Sequence, residues 1–436
     1  MKKLLVVFLC ISYPLNFFAQ SYIGHSVDNY AGIHAVTFNP ANIVGSPFKA
    51  DINLVSGSAF LGSDYINLTI SDAINGDFDF ENDLVLNPTN NNNIFGNVDV
   101  VGPSFMFNIN KKSSIGLISR ARTFYQINNI NGNLFEGLVD DFNTSEDFDF
   151  NSSDLRLNAH AWAEVGLSYG RILFSSEKHL IKGGITLKYL MGAGSAFAST
   201  DNLEGQYISN TETISTKGSV TYGTTQDFDQ SDIGFDNLTS GFGLDLGLVY
   251  EYHPNRDNDS IRYFQDPYKF KLAVSVTDIG SIDYEDAEFT TYDLNSTVNV
   301  SEIDDVQDFL DENYQSTTEI GNANIELPTA LHLLLDYRLT NKILVSAQAN
   351  LAMSSQNNQF ASRIINTIVL APRLETKLFS VYAPVSFREY GDTAFGAGLR
   401  FGPVSVGSAS VFSNLLSDKS QTTDIFVGVK IPIYRK

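Results

Sequence analysis

The sequence predicts an all-β fold, a transmembrane antiparallel β-barrel with long extracellular loops. The barrel should have about 14 strands, because bacterial barrels close with an even number of strands. Three observations predict it. Segments of about ten residues alternate apolar with small or polar side chains, which suits strands with one face in lipid. A secretory signal precedes them. Their connections are short at one end and long and acidic at the other.

The first 20 residues predict export. Lys2 and Lys3 precede a mostly apolar stretch, Leu4–Phe18, with a cleavage point at Ala19-Gln20. This stretch is shorter than the roughly 20 apolar residues of a spanning helix. We therefore predict a cleaved signal peptide over residues 1–20 and a location in the bacterial outer membrane.

Composition excludes several classes of function. Of the 436 residues, 50 are acidic and 28 are Lys or Arg, and this net charge of −22 argues against nucleic acid as a partner. The one cysteine, Cys10, lies in the predicted signal, so the mature chain has no thiol chemistry. Because no phosphate loop, nucleophile elbow or paired-histidine helix is present, we predict neither an enzyme nor a cofactor.

The alternation is regular in Gly241–Glu251, where even positions are apolar or aromatic and odd positions are mostly glycine or acid. Aromatic residues at the ends of such segments are expected at the two membrane interfaces. A soluble β-sandwich is the competing interpretation, but so many segments of spanning length are unusual in a sandwich. The candidate strands are 50–60, 99–109, 114–125, 158–171, 181–192, 205–222, 241–252, 269–278, 329–339, 342–352, 365–373, 376–387, 393–401, 404–412 and 424–434.

Long predicted loops, among them 128–157 and 280–326, hold most of the acid. Asp77–Glu81, Asp147–Phe150 and Asp227–Asp229 alternate Asp with Phe. Alternate carboxylates would suit Ca²⁺, which prefers roughly six to eight oxygen ligands. None of these runs has the glycine and terminal Glu of a calcium loop. We therefore favour solvated loops whose Phe side chains pack on neighbouring loops, and we predict no metal site.

Alternation also predicts which polar and charged side chains face the lumen: Arg120, Arg122, Trp162, Glu164, Lys182, Lys188, Asp245, Glu251 and Arg400. Two roles are open for them. They could guide a substrate, or they could form an ion-pair network that fills the lumen. Because buried charges are normally paired, we favour the network.

A short motif precedes the first strand. It is Phe38-Asn39-Pro40-Ala41-Asn42, and Leu327-Pro328-Thr329 opens a later strand. In these features the chain resembles the FadL/PorV-type outer-membrane barrels. Val276–Tyr284, together with a signal that ends in Phe-Ala-Gln, resembles more narrowly an uncharacterised barrel family of the Bacteroidota.

The resemblance implies that residues 21–47 form a hatch or plug in the lumen and that residues 48–436 form the barrel. The hatch motif is then Phe38, Asn39, Pro40 and Ala41. The residue types agree, since proline restricts the backbone and asparagine closes turns.

The resemblance leaves the function open among three classes. FadL-like members pass small hydrophobic compounds across the outer membrane, PorV-like members are non-enzymatic binding platforms in type IX secretion or gliding, and a third class is a structural surface barrel. We expect FadL-like passage, with outer-membrane lipids and a small hydrophobic ligand as partners. For a platform, secreted or surface proteins would be the partners instead.

Overall fold

The computed structural model describes residues 22–435 except 68–84, 226–237, 255–266, 302, 304–305, 392 and 418–419. Among these residues no helix is long and apolar enough to cross a membrane. The helices are α1 Ile33–Phe38, α2 Gly132–Val139, α3 Val306–Asn313 and α4 Val411–Leu416, with 3₁₀ turns at Pro40–Ile43 and Ser209–Thr211. The strands are β1 Phe48–Ser63, β2 Ile66–Asn67, β3 Val85–Leu86, β4 Asn92–Val101, β5 Ser104–Asn108, β6 Ser113–Ile130, β7 Phe148–Ser175, β8 His179–Ile208, β9 Thr213–Thr224, β10 Thr239–Tyr252, β11 Phe270–Asp293, β12 Ser296–Asn299, β13 Gln315–Glu326, β14 Ala330–Arg338, β15 Ile343–Ala352, β16 Thr367–Glu375, β17 Phe379–Tyr382, β18 Val385–Arg388, β19 Thr393–Phe395, β20 Ala397–Phe401, β21 Val404–Ser408 and β22 Thr422–Tyr434.

The chain closes into an antiparallel barrel of 14 strands, which confirms the predicted fold class. The order around the ring is β1, β4–β5, β6, β7, β8, β10, β11, β14, β15, β16, β17–β18, β19–β20, β21 and β22, and β22 pairs with β1 to close it. β1 begins and β22 ends at the same rim of the ring. The turns at this rim, such as 109–112 and 339–342, are short. Because outer-membrane barrels have short periplasmic turns, we call this rim the periplasmic end.

The outer face of the barrel is apolar. Leu248 on β10 and its register partner Val274 on β11 are both exposed. The next residue on β10, Val249, faces the lumen and is buried. Exposed apolar side chains recur on the other ring strands, including Leu167, Leu187, Leu333, Leu370, Val381, Leu399, Val406 and Ile431. An apolar surface that encircles a closed ring of strands suits lipid rather than water.

Three ring strands, β7, β8 and β11, continue beyond the ring at the end opposite the periplasmic end and pair there with two further strands. The outer parts of β7, β8 and β11 pair with β9 and β13 in the order β7–β8–β9–β11–β13. We call these five segments the extracellular sheet. The prediction of loops over 128–157 and 280–326 was therefore wrong for 128–130, 148–157, 280–293, 296–299 and 315–326. The segment 205–222, predicted as one strand, is a hairpin in which β8 ends at Ile208 and β9 begins at Thr213.

The residues before β1 lie inside the barrel, and we call residues 22–47 the hatch segment. Its regular parts are α1 and the 3₁₀ turn Pro40–Ile43. Asn39 ends α1 in an extended conformation, and its side chain accepts a 2.9 Å hydrogen bond from the Ala41 amide. Pro40 then begins the turn, because its ring fixes a backbone angle that the turn needs. Ile33, Val36 and Ala41 are fully buried, so the hatch segment is packed against the strands.

Candidate functional site

A row of glycines receives the turn of the hatch segment. Gly170 on β7, Gly184 on β8 and Gly247 on β10 are direct register neighbours, and we call these three residues the glycine strip. A Cβ at Gly184 would overlap the backbone of Pro40 and Ala41, and one at Gly247 would overlap the Asn39 side chain. The strip therefore lets the Asn-Pro-Ala turn approach the strand backbones directly.

Hydrogen bonds fix the turn on this strip. Asn39 Nδ2 donates to the carbonyl oxygens of Val274 at 3.0 Å and Leu248 at 3.3 Å. Ser275, the register partner of Gly247, donates from Oγ to the Phe38 carbonyl at 2.7 Å. The bond from Ser275 gives the Phe38 carbonyl, at the end of α1, a partner. The Asn39 side chain thus stabilises its own turn through Oδ1 and joins that turn to β10 and β11 through Nδ2.

Charged groups hold the other end of the hatch segment. Asp28 accepts a 2.9 Å bond from Arg400 Nε on β20, and both side chains are buried. Lys430 Nζ donates to the Tyr30 carbonyl at 2.6 Å and lies 3.1 Å from Asp51 Oδ1. Such charge-assisted bonds are stronger than neutral ones. The hatch segment is therefore anchored at both ends to strands on different sides of the ring.

A buried layer of ion pairs lies next to the hatch segment. Arg120 Nε donates to Asp99 at 2.7 Å, Arg122 lies 2.8 Å from Asp278, and Lys188 lies 2.8 Å from Asp245. The members of this ion-pair layer are Asp99, Arg120, Arg122, Glu164, Lys188, Asp245 and Asp278. All are at least nine-tenths buried, and such charges are stable only when paired.

Aromatic side chains form the next layer toward the extracellular end. Trp162 stacks on Phe124 with ring centroids 5.6 Å apart, and the Arg122 guanidinium lies 5.0 Å from each of the two rings. The buried members of this aromatic layer are Phe60, Phe95, Phe124, Trp162, Leu190, Phe197, Ile282, Tyr284, Ala287, Ala323, Ile325, Leu327 and Ile365. Its members lie on lumen-facing positions of the ring strands and on the adjoining part of the extracellular sheet. Barrel interiors are ordinarily polar, so an apolar layer of this size at the extracellular end of the lumen is unusual.

An inward-folded loop covers the aromatic layer. Residues 353–366, which join β15 to β16, cross to the opposite side of the ring, and we call them the cross-lumen loop. Gln126 Nε2 on β6 donates to the Ala361 carbonyl at 2.8 Å, and Asn158 Nδ2 on β7 donates to the Gln359 carbonyl at 2.9 Å. A buried loop needs such partners for its backbone. Phe360 of the loop packs on Phe197, with centroids 5.1 Å apart.

Two cavities lie on either side of Phe38. The larger, about 410 Å³, opens at the periplasmic end and is lined by the hatch segment with Lys182, Glu251 and Tyr268 among others. The smaller, about 70 Å³, is lined by the ion-pair layer and by Phe95 and Phe124 of the aromatic layer. Both are lined by Phe38 and His332, whose rings are 4.2 Å apart. This ring pair therefore separates them.

The predicted lumen residues are all buried inside the barrel, but they do not form one site. Trp162 and Glu164 are joined by a 3.2 Å bond from Nε1 and lie with Arg120, Arg122, Lys188 and Asp245 around the ion-pair and aromatic layers. Lys182 pairs with Glu251 at 2.6 Å beside the larger cavity. Arg400 anchors the hatch segment.

Other residues of these layers were not predicted. Asp99 and Asp278 lie on the lumen face, but their strands alternate less regularly at those positions, and Asp278 lies beside a bulge. The cross-lumen loop has no local signal, because its partners Gln126 and Asn158 are far away in sequence. The glycine strip did leave a signal, since Gly170, Gly184 and Gly247 occupy lumen positions of consecutive ring strands.

The Asp/Phe runs lie outside the lumen where they are described. Phe148 and Phe150 begin β7 and pack with Tyr207, so the run at 147–150 belongs to a packed strand. Hydrogen bonds from the backbone and side chain of Ser209 lower the pKa of Asp147. In the described part of the chain no group of three or more ligand side chains could hold a metal ion. The runs at 77–81 and 227–229 lie outside the described residues.

Comparisons with known proteins give one matching sequence family and several solved structures of similar fold. A family described as "Family of unknown function (DUF5723)" matches residues 40–408. No curated protein matches by sequence.

Three solved structures are similar in fold. A Pseudomonas aeruginosa FadL homologue has a TM-score of 0.47 and 10% identity over 95% of this chain and 98% of its own. The Pseudomonas putida toluene transporter TodX has a TM-score of 0.43 and 8% identity over 93% and 95%. The Ralstonia pickettii toluene transporter TbuX has a TM-score of 0.42 and 7% identity over 93% and 94%.

The glycine strip provides a test of hatch docking. Gly184→Val should displace the turn, because its side chain would occupy the space of Pro40 and Ala41. Overpacking costs about 1–3 kcal/mol, so proteinase K should remove the hatch segment from the purified barrel roughly fivefold faster or more. Mass spectrometry of the N-terminus measures this. Gly57→Val is the matched control, since nothing lies within 4 Å of a Cβ there, and equal proteolysis of both variants would contradict the docking.

The ion-pair layer provides a test of its structural role. Arg120→Leu leaves Asp99 buried without its main partner, which should destabilise the barrel by about 3–5 kcal/mol. We expect a lower temperature for the heat-dependent shift in gel migration that accompanies barrel unfolding. Adding Asp99→Leu should restore most of the loss, because the uncompensated charge is removed. An unchanged temperature in the single variant would argue against a structural role.

Proposed function

Since the chain belongs to the DUF5723 family, whose description assigns no function, we propose from its geometry that it passes small hydrophobic compounds across the outer membrane. The observation that carries this proposal is the aromatic layer at the extracellular end of the lumen. The interior of an outer-membrane barrel is ordinarily polar, and the ion-pair layer has that character. An apolar compartment next to it has the chemistry of a hydrophobic ligand site.

The proposed path runs through the features in their spatial order. A compound enters under the cross-lumen loop, displaces rings of the aromatic layer and reaches the smaller cavity, which Phe95 and Phe124 line. It then passes Phe38 and His332 into the larger cavity at the periplasmic end. The described lumen is closed at both steps, so passage requires movement of the loop and of the Phe38 ring.

The anchoring bonds suggest which parts move. The glycine strip and the charged anchors hold the hatch backbone, whereas Phe38 is only half-buried and its ring makes one close aromatic contact. The cross-lumen loop is joined to β6 and β7 by side-chain bonds to its carbonyls and to Glu326 at the end of β13 by two backbone bonds, each of net strength about 1 kcal/mol. We therefore propose side-chain gating at Phe38 and loop gating at the extracellular end, with the hatch backbone in place.

Phe38→Ala tests the inner step. Removing the ring should join the two cavities, since Phe38 lines both. The apolar probe N-phenyl-1-naphthylamine fluoresces when it enters phospholipid. In bacterial cells with an outer membrane, its rate of entry should be higher with the variant than with the unmodified protein. Entry of the polar antibiotic nitrocefin should stay unchanged. A parallel rise for both probes would indicate an unspecific leak, and no excess entry of the apolar probe over host cells without the protein would overturn the function.

A reversible lock tests the outer step. Glu326 and Ala361 form a parallel β-bridge between the end of β13 and the cross-lumen loop, and the mature chain has no cysteine of its own. The double variant E326C and A361C should form a disulfide that ties the loop to the barrel. Oxidation should then abolish entry of the apolar probe and dithiothreitol should restore it. Each single variant is the control, and full entry through the oxidised double variant would rule out this path.

A further inference from the structure

The outer edge of the extracellular sheet is unusually exposed. β13 pairs with β11 along one edge, from Gln315 to Glu326. On its other edge, no described residue pairs with the backbone between Gln315 and Ile325, and the cross-lumen loop reaches only Glu326. Every second residue therefore directs an N–H and a C=O group outward along about 30 Å of strand.

Both faces of the first half of this strand are open as well. The six residues from Gln315 to Ile320 are all exposed, and the Ile320 side chain is 71% exposed. Proteins usually protect such an edge with proline, a bulge, lysine or a covering element. The β13 sequence, QSTTEIGNANIE, contains no proline or lysine, and its register with β11 places the bulge on the β11 side.

The charge around this edge is entirely negative. Between Ile279 and Pro328 the sequence contains 13 acidic residues and no lysine or arginine. Glu319 lies on the edge strand, and Glu288 and Asp293 are exposed on β11 beside it. Two copies of this edge would bring like charges together, which destabilises a strand pair. A second copy of the chain is therefore a poor occupant, and a basic segment is a good one.

We propose that the outer edge of β13 binds an extended, basic segment of another protein, which adds to the extracellular sheet as a sixth strand. Backbone hydrogen bonds to the open edge would supply affinity for an extended chain. Alternate side chains would supply specificity, with a basic residue opposite Glu319 and an apolar residue beside Ile320. The site lies above the ring and is separate from the path through the lumen.

The test uses the full chain in detergent micelles and a fluorescein-labelled octapeptide of alternating lysine and valine. We expect saturable binding, measured by fluorescence anisotropy at physiological salt. The same peptide with alternate amides N-methylated should bind at least about tenfold more weakly, because it cannot form the backbone bonds of one edge. Ile320→Lys should weaken binding about fivefold, because it replaces the apolar neighbour of the peptide's valines with a cation that also repels the basic peptide.

Ser219→Lys is the matched control. It adds the same charge to β9, which is two strands away from the edge, at an exposed position. It should leave binding unchanged within about twofold, and both variants should keep the gel migration of a folded barrel. Equal binding of the N-methylated peptide, or equal loss in the two variants, would overturn edge pairing in favour of plain charge attraction. A dimer in native mass spectrometry that Ile320→Lys abolishes would assign the edge to a second copy and also overturn the proposal.

Discussion

The arrangement of the lumen depends on the contact between the Asn-Pro-Ala turn and the glycine strip. A Cβ at Gly184 or Gly247 would move the turn away from the strands, and the bonds from Asn39 to Val274 and Leu248 would be lost. With the turn in place, Phe38 is held against His332. Close backbone packing therefore determines where the aromatic ring divides the lumen.

The ion-pair and aromatic layers complement this contact in different ways. Charges buried in the ring form short, directional pairs, which fix side chains but accept no apolar solute. Aromatic rings make weaker and less directional contacts, so a solute of similar polarity can replace them at small cost. Arg122 belongs to both layers, because it pairs with Asp278 and lies over Phe124 and Trp162. The change from rigid to adaptable filling thus occurs at Arg122 and at the hydrogen bond from Trp162 to Glu164.

The sequence predicted the ring far better than the sheet above it. In β10 the lipid face must be apolar and the lumen face must not, so alternation marks Gly241–Glu251 clearly. In β13 neither face meets lipid, and Gln315–Ile320 carries no alternation at all. The same limit applies inside. The alternation of side chains along the strands correctly placed Arg120 and Lys188 in the lumen. Their pairing with Asp99 and Asp278 depends on the register between distant strands, which alternation does not encode.

The anchoring of Tyr30 has a consequence for how the molecule is assembled. Lys430 on β22 bonds the Tyr30 carbonyl and pairs with Asp51 on β1, and β1 and β22 are the two strands that meet to close the ring. The first and last strands made by the ribosome are thus joined partly through a residue that precedes both. The contact between β1 and β22 and the contact of the hatch segment with the wall therefore share one lysine, and a ring closed without the hatch segment would leave Lys430 without its Tyr30 acceptor.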